Sequence, residues 1–89
     1  MRRLTLHIKG KVQGVGFRFF SQGVANELGL LGSVENKENG YVEIVVEGDE
    51  TALKKFLEHI KEGNEYAQVE QLVETWSEGT GKFKDFTVL

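Results

Sequence analysis

Gly10-Lys11-Val12-Gln13-Gly14-Val15-Gly16-Phe17-Arg18 sets three glycines within seven residues, followed at once by an aromatic residue and an arginine. Glycines let successive backbone N–H groups turn inward as a nest, and a helix beginning behind the loop adds its positive N-terminal end. Such a loop can hold a phosphate without a metal. Arg18, in the first turn of that helix, can add a planar fork of charged donors. No Gly-Lys-Ser/Thr closes the loop, so it is not a Walker A motif. The glycine spacing and parallel βαβ unit of the dinucleotide fingerprint are missing too. Spacing alone leaves two readings open, an anion site or a tight strand-to-helix turn with a surface arginine. Asn36, at the end of an extended segment, is an ordinary residue for such a place and gains interest only beside the loop.

The elements that must position these residues are read from periodicity. Leu4, Leu6 and Ile8 alternate with Arg3, Thr5, His7 and Lys9, the period of a half-buried strand. Phe17, Phe20, Val24 and Leu28 recur at helical spacing, and Gly29 follows at a natural C′ position. Gly32–Asn36 and Tyr41–Glu47 read as strands joined by Asn39-Gly40, a pair that tolerates positive φ. In the second of them, Val42, Ile44 and Val46 face one side, with Tyr41, Glu43 and Glu47 on the other. Asp49 stands where an N-cap is needed, ahead of the helical stripe Leu53, Phe56, Leu57 and Ile60 that Gly63 ends. Val69 to Trp76 is rich in β-formers but alternates poorly, which predicts a bulge or twist. Phe83 to Val88 reads as a short last strand.

The fold class expected is α+β: a ferredoxin-like, split βαβ sandwich in the order β-α-β-β-α-β plus a short C-terminal strand. Its antiparallel-type sheet carries both helices on one face. In that topology the first and second strands run the same way with the third between them. The glycine loop and Asn36 therefore share one rim, about 10 Å apart by two strand spacings. An arginine side chain and a bound phosphate can bridge that gap. Topology alone thus puts Arg18 and Asn36 within reach of one ligand.

Residues 1–89 are expected to form a single domain, a length that suits one thin core. No cysteine is present, which excludes disulfide scaffolds, thiolate nucleophiles and cysteine metal sites. His7 and His59 have no ligand spacing, so no metal and no cofactor are expected. The net charge of −3 disfavours nonspecific nucleic-acid or membrane binding, leaving any anionic substrate to a local positive site. No apolar run spans a membrane, and Arg2-Arg3 lacks the apolar segment of a signal peptide. A cytoplasmic monomer is the expectation.

The segment 10–18 resembles the signature of the acylphosphatase family almost letter for letter. The similarity continues through Ala25–Leu30, Gly32–Asn36, Asn39–Glu43 and Glu47–Asp49, and more loosely through Phe86–Val88. The resemblance implies a metal-independent enzyme that hydrolyses the carboxyl-phosphate bond of small acyl phosphates, releasing inorganic phosphate. It implies that Gln13, Gly14, Val15, Gly16, Phe17 and Arg18 hold the phosphoryl group. It also implies that Asn36 orients the attacking water, with Arg18 and Asn36 as the catalytic pair. The chain departs from the family pattern at Ser33, Glu35 and Asn39, and lacks the prolines that usually follow the glycine matching Gly63. Strand alternation points Glu35 to the face opposite Asn36.

Two rivals share parts of this pattern. One is an anion-binding domain without turnover, like the acylphosphatase-like front of a hydrogenase-maturation protein; a stand-alone enzyme is expected instead. The other is an RNA-recognition module of the same topology, whose central strand carries stacking aromatics. Here the corresponding strand, Tyr41–Glu47, offers one aromatic and two carboxylates.

Overall fold

Alternating apolar residues in three strands decide the architecture, because their buried face must be covered. The computed structural model describes residues 1–89. Its elements are β1 (Arg2–Lys11), α1 (Phe17–Glu27), β2 (Leu31–Asn36), a short 3-10 turn (Glu38–Gly40), β3 (Val42–Gly48), α2 (Glu50–Glu62), β4 (Gln68–Glu78) and β5 (Phe86–Val88). The sheet order is β4-β1-β3-β2-β5. Leu4, Leu6 and Ile8 of β1, Val34 of β2 and Val42, Ile44 and Val46 of β3 are fully buried. They meet Phe17 and Ala25 of α1 and Leu53, Phe56, Leu57 and Ile60 of α2 in one cluster. Each such side chain contributes about 1.5–3 kcal/mol of burial, so both helices are held to the same face.

The rim expected to carry the site forms as the topology requires. β3 pairs antiparallel with both β1 and β2, so the last residues of β1 and β2 reach the same edge. Asn39 and Gly40 turn the chain there with φ of 72° and 82°, and the Lys37 N–H bonds the Tyr41 carbonyl at 2.8 Å.

Several local expectations are refined. The last strand is shorter than Phe83–Val88 and runs parallel to β2, pairing Gly32 with Phe86 and Val34 with Val88, so the sheet is mixed. The irregularity expected near Val69 is a bulge, where Lys9 pairs with Gln71 but Gly10 pairs with Val69. Gly10, at φ 134°, allows it, because a Cβ there would run into the Gln68 carbonyl. Gly10 thus serves the sheet rather than the loop. Asp49 occupies the N-cap of α2 with its backbone alone: its carbonyl accepts the Leu53 N–H at 2.9 Å, and its side chain makes no cap bond.

Glu47 lies on the face expected for it but is buried, because residues 79–81 fold over it. Arg3 Nε donates to its carboxylate at 2.7 Å, the Thr80 and Gly81 N–H groups donate at 3.0 Å each, and the Thr80 hydroxyl lies at 3.1 Å. Burial pushes the Glu47 carboxyl up, but the Thr80 amide, the Arg3 guanidinium, the Gly81 amide and the Thr80 hydroxyl together pull it down to about 2. A depressed folded-state value stabilises the fold above the ordinary carboxyl range. That stability, on the order of 3 kcal/mol, disappears as pH falls from about 4.5 toward 2. Glu47→Gln is expected to lower the melting temperature at pH 7 and to flatten its decline on acidification; a scan of melting against pH checks both.

Candidate active site

The site begins where β1 ends. Val12 is buried and pins the chain, after which Gly14 and Gly16 adopt left-handed conformations at φ 75° and 76°. Nothing lies within 4 Å of a Cβ built at Gly14, so its need for glycine comes from the backbone and not from crowding. The backbone N–H groups of Gln13, Gly14, Val15 and Gly16 donate to no acceptor in the protein. Those of Phe17 and Arg18 open α1, where a helix has no internal partners to offer. The Gly16 carbonyl accepts the Phe20 N–H at 3.0 Å, which joins the loop to the helix without a side-chain cap. The result is a run of unused donors at a positive helix end.

Arg18 is half-buried, and its Nη1 donates to the backbone oxygen of Leu89 at 2.6 Å. Leu89 in turn donates its N–H to the Val34 carbonyl at 2.8 Å, two residues before Asn36 on β2. Since Val88 pairs with Val34, Leu89 stands level with Glu35. The guanidinium is therefore tethered beside the end of β2, with the rest of its fork uncommitted. Phe17 is core, its ring 5.9 Å from that of Phe20. Its contribution to a phosphate site is confined to its backbone N–H.

Asn36 is the last residue of β2 and shares the helix-covered face with Val34. Its Oδ1 is buried and has no hydrogen-bond partner, the one such side-chain atom in the chain. Buried acceptors are almost always satisfied, so an orphan at this rim marks a place made for a ligand or a water. Gln13 ties the loop to the same spot: its Nε2 donates to the carbonyls of Lys37 and Tyr41, each at 3.0 Å. Glycine loop and Asn36 thus belong to one fastened unit.

Glu35, on the opposite face, is neutralised by Lys37, whose Nζ lies 2.8 Å from it and 3.7 Å from Glu43. The Glu35 bond holds the Lys37 ammonium above its usual range. Glu43 also meets His7 Nε2 at 2.8 Å, far from the loop side of the sheet. No three His, Asp or Glu side chains converge as metal ligands. Two shallow concavities exist, one at the β2–β3 turn that includes Asn36 and one between the helices around Phe20, Gly23, Val24 and His59. Neither encloses the loop, and a phosphate held by converging N–H groups does not need an enclosed volume.

The sequence marks the loop, Arg18 and Asn36 as candidates, but not the side chains that fasten them. Gln13 acts on carbonyls 24 and 28 residues away. Asn64, whose Nδ2 donates to the Val15 carbonyl at 2.8 Å, is 49 residues from its partner. No local pattern announces contacts at that separation.

The acylphosphatase family model matches residues 4–88. Acylphosphatase of Thermus thermophilus is 49% identical over 81 residues, covering 91% of this chain and 92% of its own. Acylphosphatase of Thermobifida fusca is 44% identical over 84 residues, covering 94% and 92%. The crystal structure of acylphosphatase from Bacillus subtilis superposes with a TM-score of 0.96 at 37% identity, covering 100% of this chain and 99% of that one. Full-length HypF in its phosphate- and nucleotide-bound form matches with a TM-score of 0.90 at 32% identity, over 99% of this chain but only 12% of HypF.

Proposed function

The chain belongs to the acylphosphatase family and hydrolyses acyl phosphates, and on that basis we propose that Arg18, the 13–18 loop and Asn36 carry the reaction. The loop N–H groups and Arg18 hold the phosphoryl oxygens, and Asn36 aims the water in line with the bond to be broken. One observation carries this assignment: the orphaned Oδ1 of Asn36 lies where Gln13 fastens the end of β2 to a loop of unused donors.

The chemistry asks little more. A carboxylate leaves readily, so strong general acid catalysis is unnecessary, and what remains is positioning and stabilisation of shifting phosphoryl charge. Asn36 Oδ1 accepts a hydrogen bond from the water and so directs an oxygen lone pair at phosphorus. A new P–O bond forms as the bond to the acyl oxygen breaks with its electron pair. From the acyl phosphate dianion and water the products are a carboxylate and a dihydrogen phosphate ion, which carries both protons of the attacking water. Arg18 and the loop donors supply the positive field, so the enzyme works without a metal.

This machinery contains no histidine. His7 pairs with Glu43 on the far face, and His59 lies between the helices. Turnover at saturating substrate, followed from pH 6 to 8 with EDTA present, is expected to show no inflection from a histidine. His7→Gln and His59→Gln are expected to keep wild-type kcat; loss of turnover in either would move the catalytic centre away from the loop.

A cytoplasmic monomer without a nucleic-acid partner completes the proposal. Exposed large apolar residues (Met1, Phe19, Tyr66, Val73 and Leu89) lie on separate segments. No helix is long and apolar enough to cross a membrane. The open face of β3 presents Glu43 where an RNA reader would present an aromatic ring.

A further inference from the structure

We infer that Asn64 is a positioning residue of the phosphate loop, which fixes the 15–16 peptide so that the Gly16 N–H faces the phosphoryl group. The inference rests on the reading of 13–18 as the phosphate site.

Asn64 follows Gly63, the residue that ends α2. Its Oδ1 accepts the N–H of Ala67 at 2.8 Å and that of Tyr66 at 3.2 Å, an Asx-type turn that fixes the plane of the side-chain amide. With Oδ1 engaged, Nδ2 has one direction left, and at 2.8 Å it meets the carbonyl of Val15. The chain has no cis peptide bond. In a trans peptide the C=O and the following N–H point to opposite sides. A Val15 carbonyl drawn toward the α2–β4 turn therefore turns the Gly16 N–H away from it, toward the open side of the loop.

That orientation needs holding. Gly14 and Gly16 flank the peptide pair in left-handed conformations, and both have ample room: nothing approaches a Cβ at Gly14, and only Asn64 Nδ2, at 3.7 Å, approaches one at Gly16. Gly16, whose nitrogen belongs to the 15–16 peptide, accepts either sign of φ, so its own backbone does not hold that peptide in one orientation. The flipped form would aim the Val15 carbonyl dipole at the phosphoryl oxygens and remove one donor. Asn64 biases this two-state peptide from outside the site, joining α2 and β4 to the loop.

The test is a titration of wild type, Asn64→Ser, Asn64→Asp and Arg18→Ala with inorganic phosphate, followed through backbone amide NMR shifts and paired with melting curves. Serine keeps a neutral acceptor for the turn amides but is too short to reach Val15. Aspartate keeps the turn but replaces the Nδ2 donor with a charged oxygen, so the neutral serine variant decides and aspartate is read only through the Gly16 response. In wild type the Gly16 amide is expected to move with phosphate. In Asn64→Ser phosphate affinity is expected to fall about ten- to a hundredfold, the scale of one lost donor to a charged ligand, and in both Asn64 variants the Gly16 response is lost in the folded protein. A purely structural role would lower melting and leave affinity and the Gly16 response of the folded protein intact; that result overturns the inference. A wild-type Gly16 amide that stays still while other loop amides move overturns it as well, with no variant needed. If Arg18→Ala abolishes binding while Asn64→Ser binds normally, the phosphate site stands and the inference falls. If no amide from 13 to 18 moves in wild type, both fall.

Discussion

Arg18→Ala is expected to lower kcat/KM for an acyl phosphate by roughly two to four decades. Two charge-assisted hydrogen bonds to phosphoryl oxygens are worth about 1.5–3 kcal/mol each, and each 1.36 kcal/mol, roughly, is one decade in rate. The resting contact of Nη1 with Leu89 leaves the other arm of the guanidinium to the ligand. Arg18→Lys keeps the charge but not the fork, so it is expected to recover only part of the loss. Steady-state kinetics of the three proteins check the ranking. Because the one hydrogen bond that Arg18 makes within the fold goes to the exposed Leu89, the melting temperature is expected to change little.

Asn36→Ala is expected to cost about two to three decades in kcat, the scale of losing one preorganised polar group aimed at the reacting atoms. Its effect on stability is expected to be small, because Oδ1 makes no hydrogen bond within the protein and none is lost with it. Removing it is expected to leave the protein melting close to wild type while turnover collapses. KM is expected to change less than kcat, because the phosphoryl oxygens are held by the loop and Arg18. Kinetics and melting on the same sample separate this outcome from simple misfolding, which would lower both.

Most of the positioning frame was legible from the chain itself, for reasons that particular residues make clear. Leu4, Leu6 and Ile8 alternate cleanly because β1 lies inside the sheet with one face on the helices. β4 alternates poorly because it is an edge strand with a bulge at Gly10. The loop was visible because Gly14 and Gly16 sit where positive φ is required, directly ahead of a helix. Asn36 was a candidate only through the shared rim that the topology implies and the resemblance to a family motif, since nothing local distinguishes it from any strand-end asparagine. The parallel docking of β5 on β2 was not legible: three residues carry too little pattern to set direction, and Phe86 alone provides the buried anchor. Glu47 illustrates the same limit. Alternation placed it on the outer face, and only the distant segment 79–81, folding back over it, makes it a buried, fully bonded carboxylate.

The measurement that bears most directly on the account is release of inorganic phosphate from benzoyl phosphate, in EDTA, by wild type, Arg18→Ala and Asn36→Ala. Metal-free turnover by wild type, reduced by at least two decades or so in each variant while all three remain folded, is the predicted result. Turnover near the wild-type rate in either folded variant, or a wild-type activity that EDTA abolishes, would contradict it.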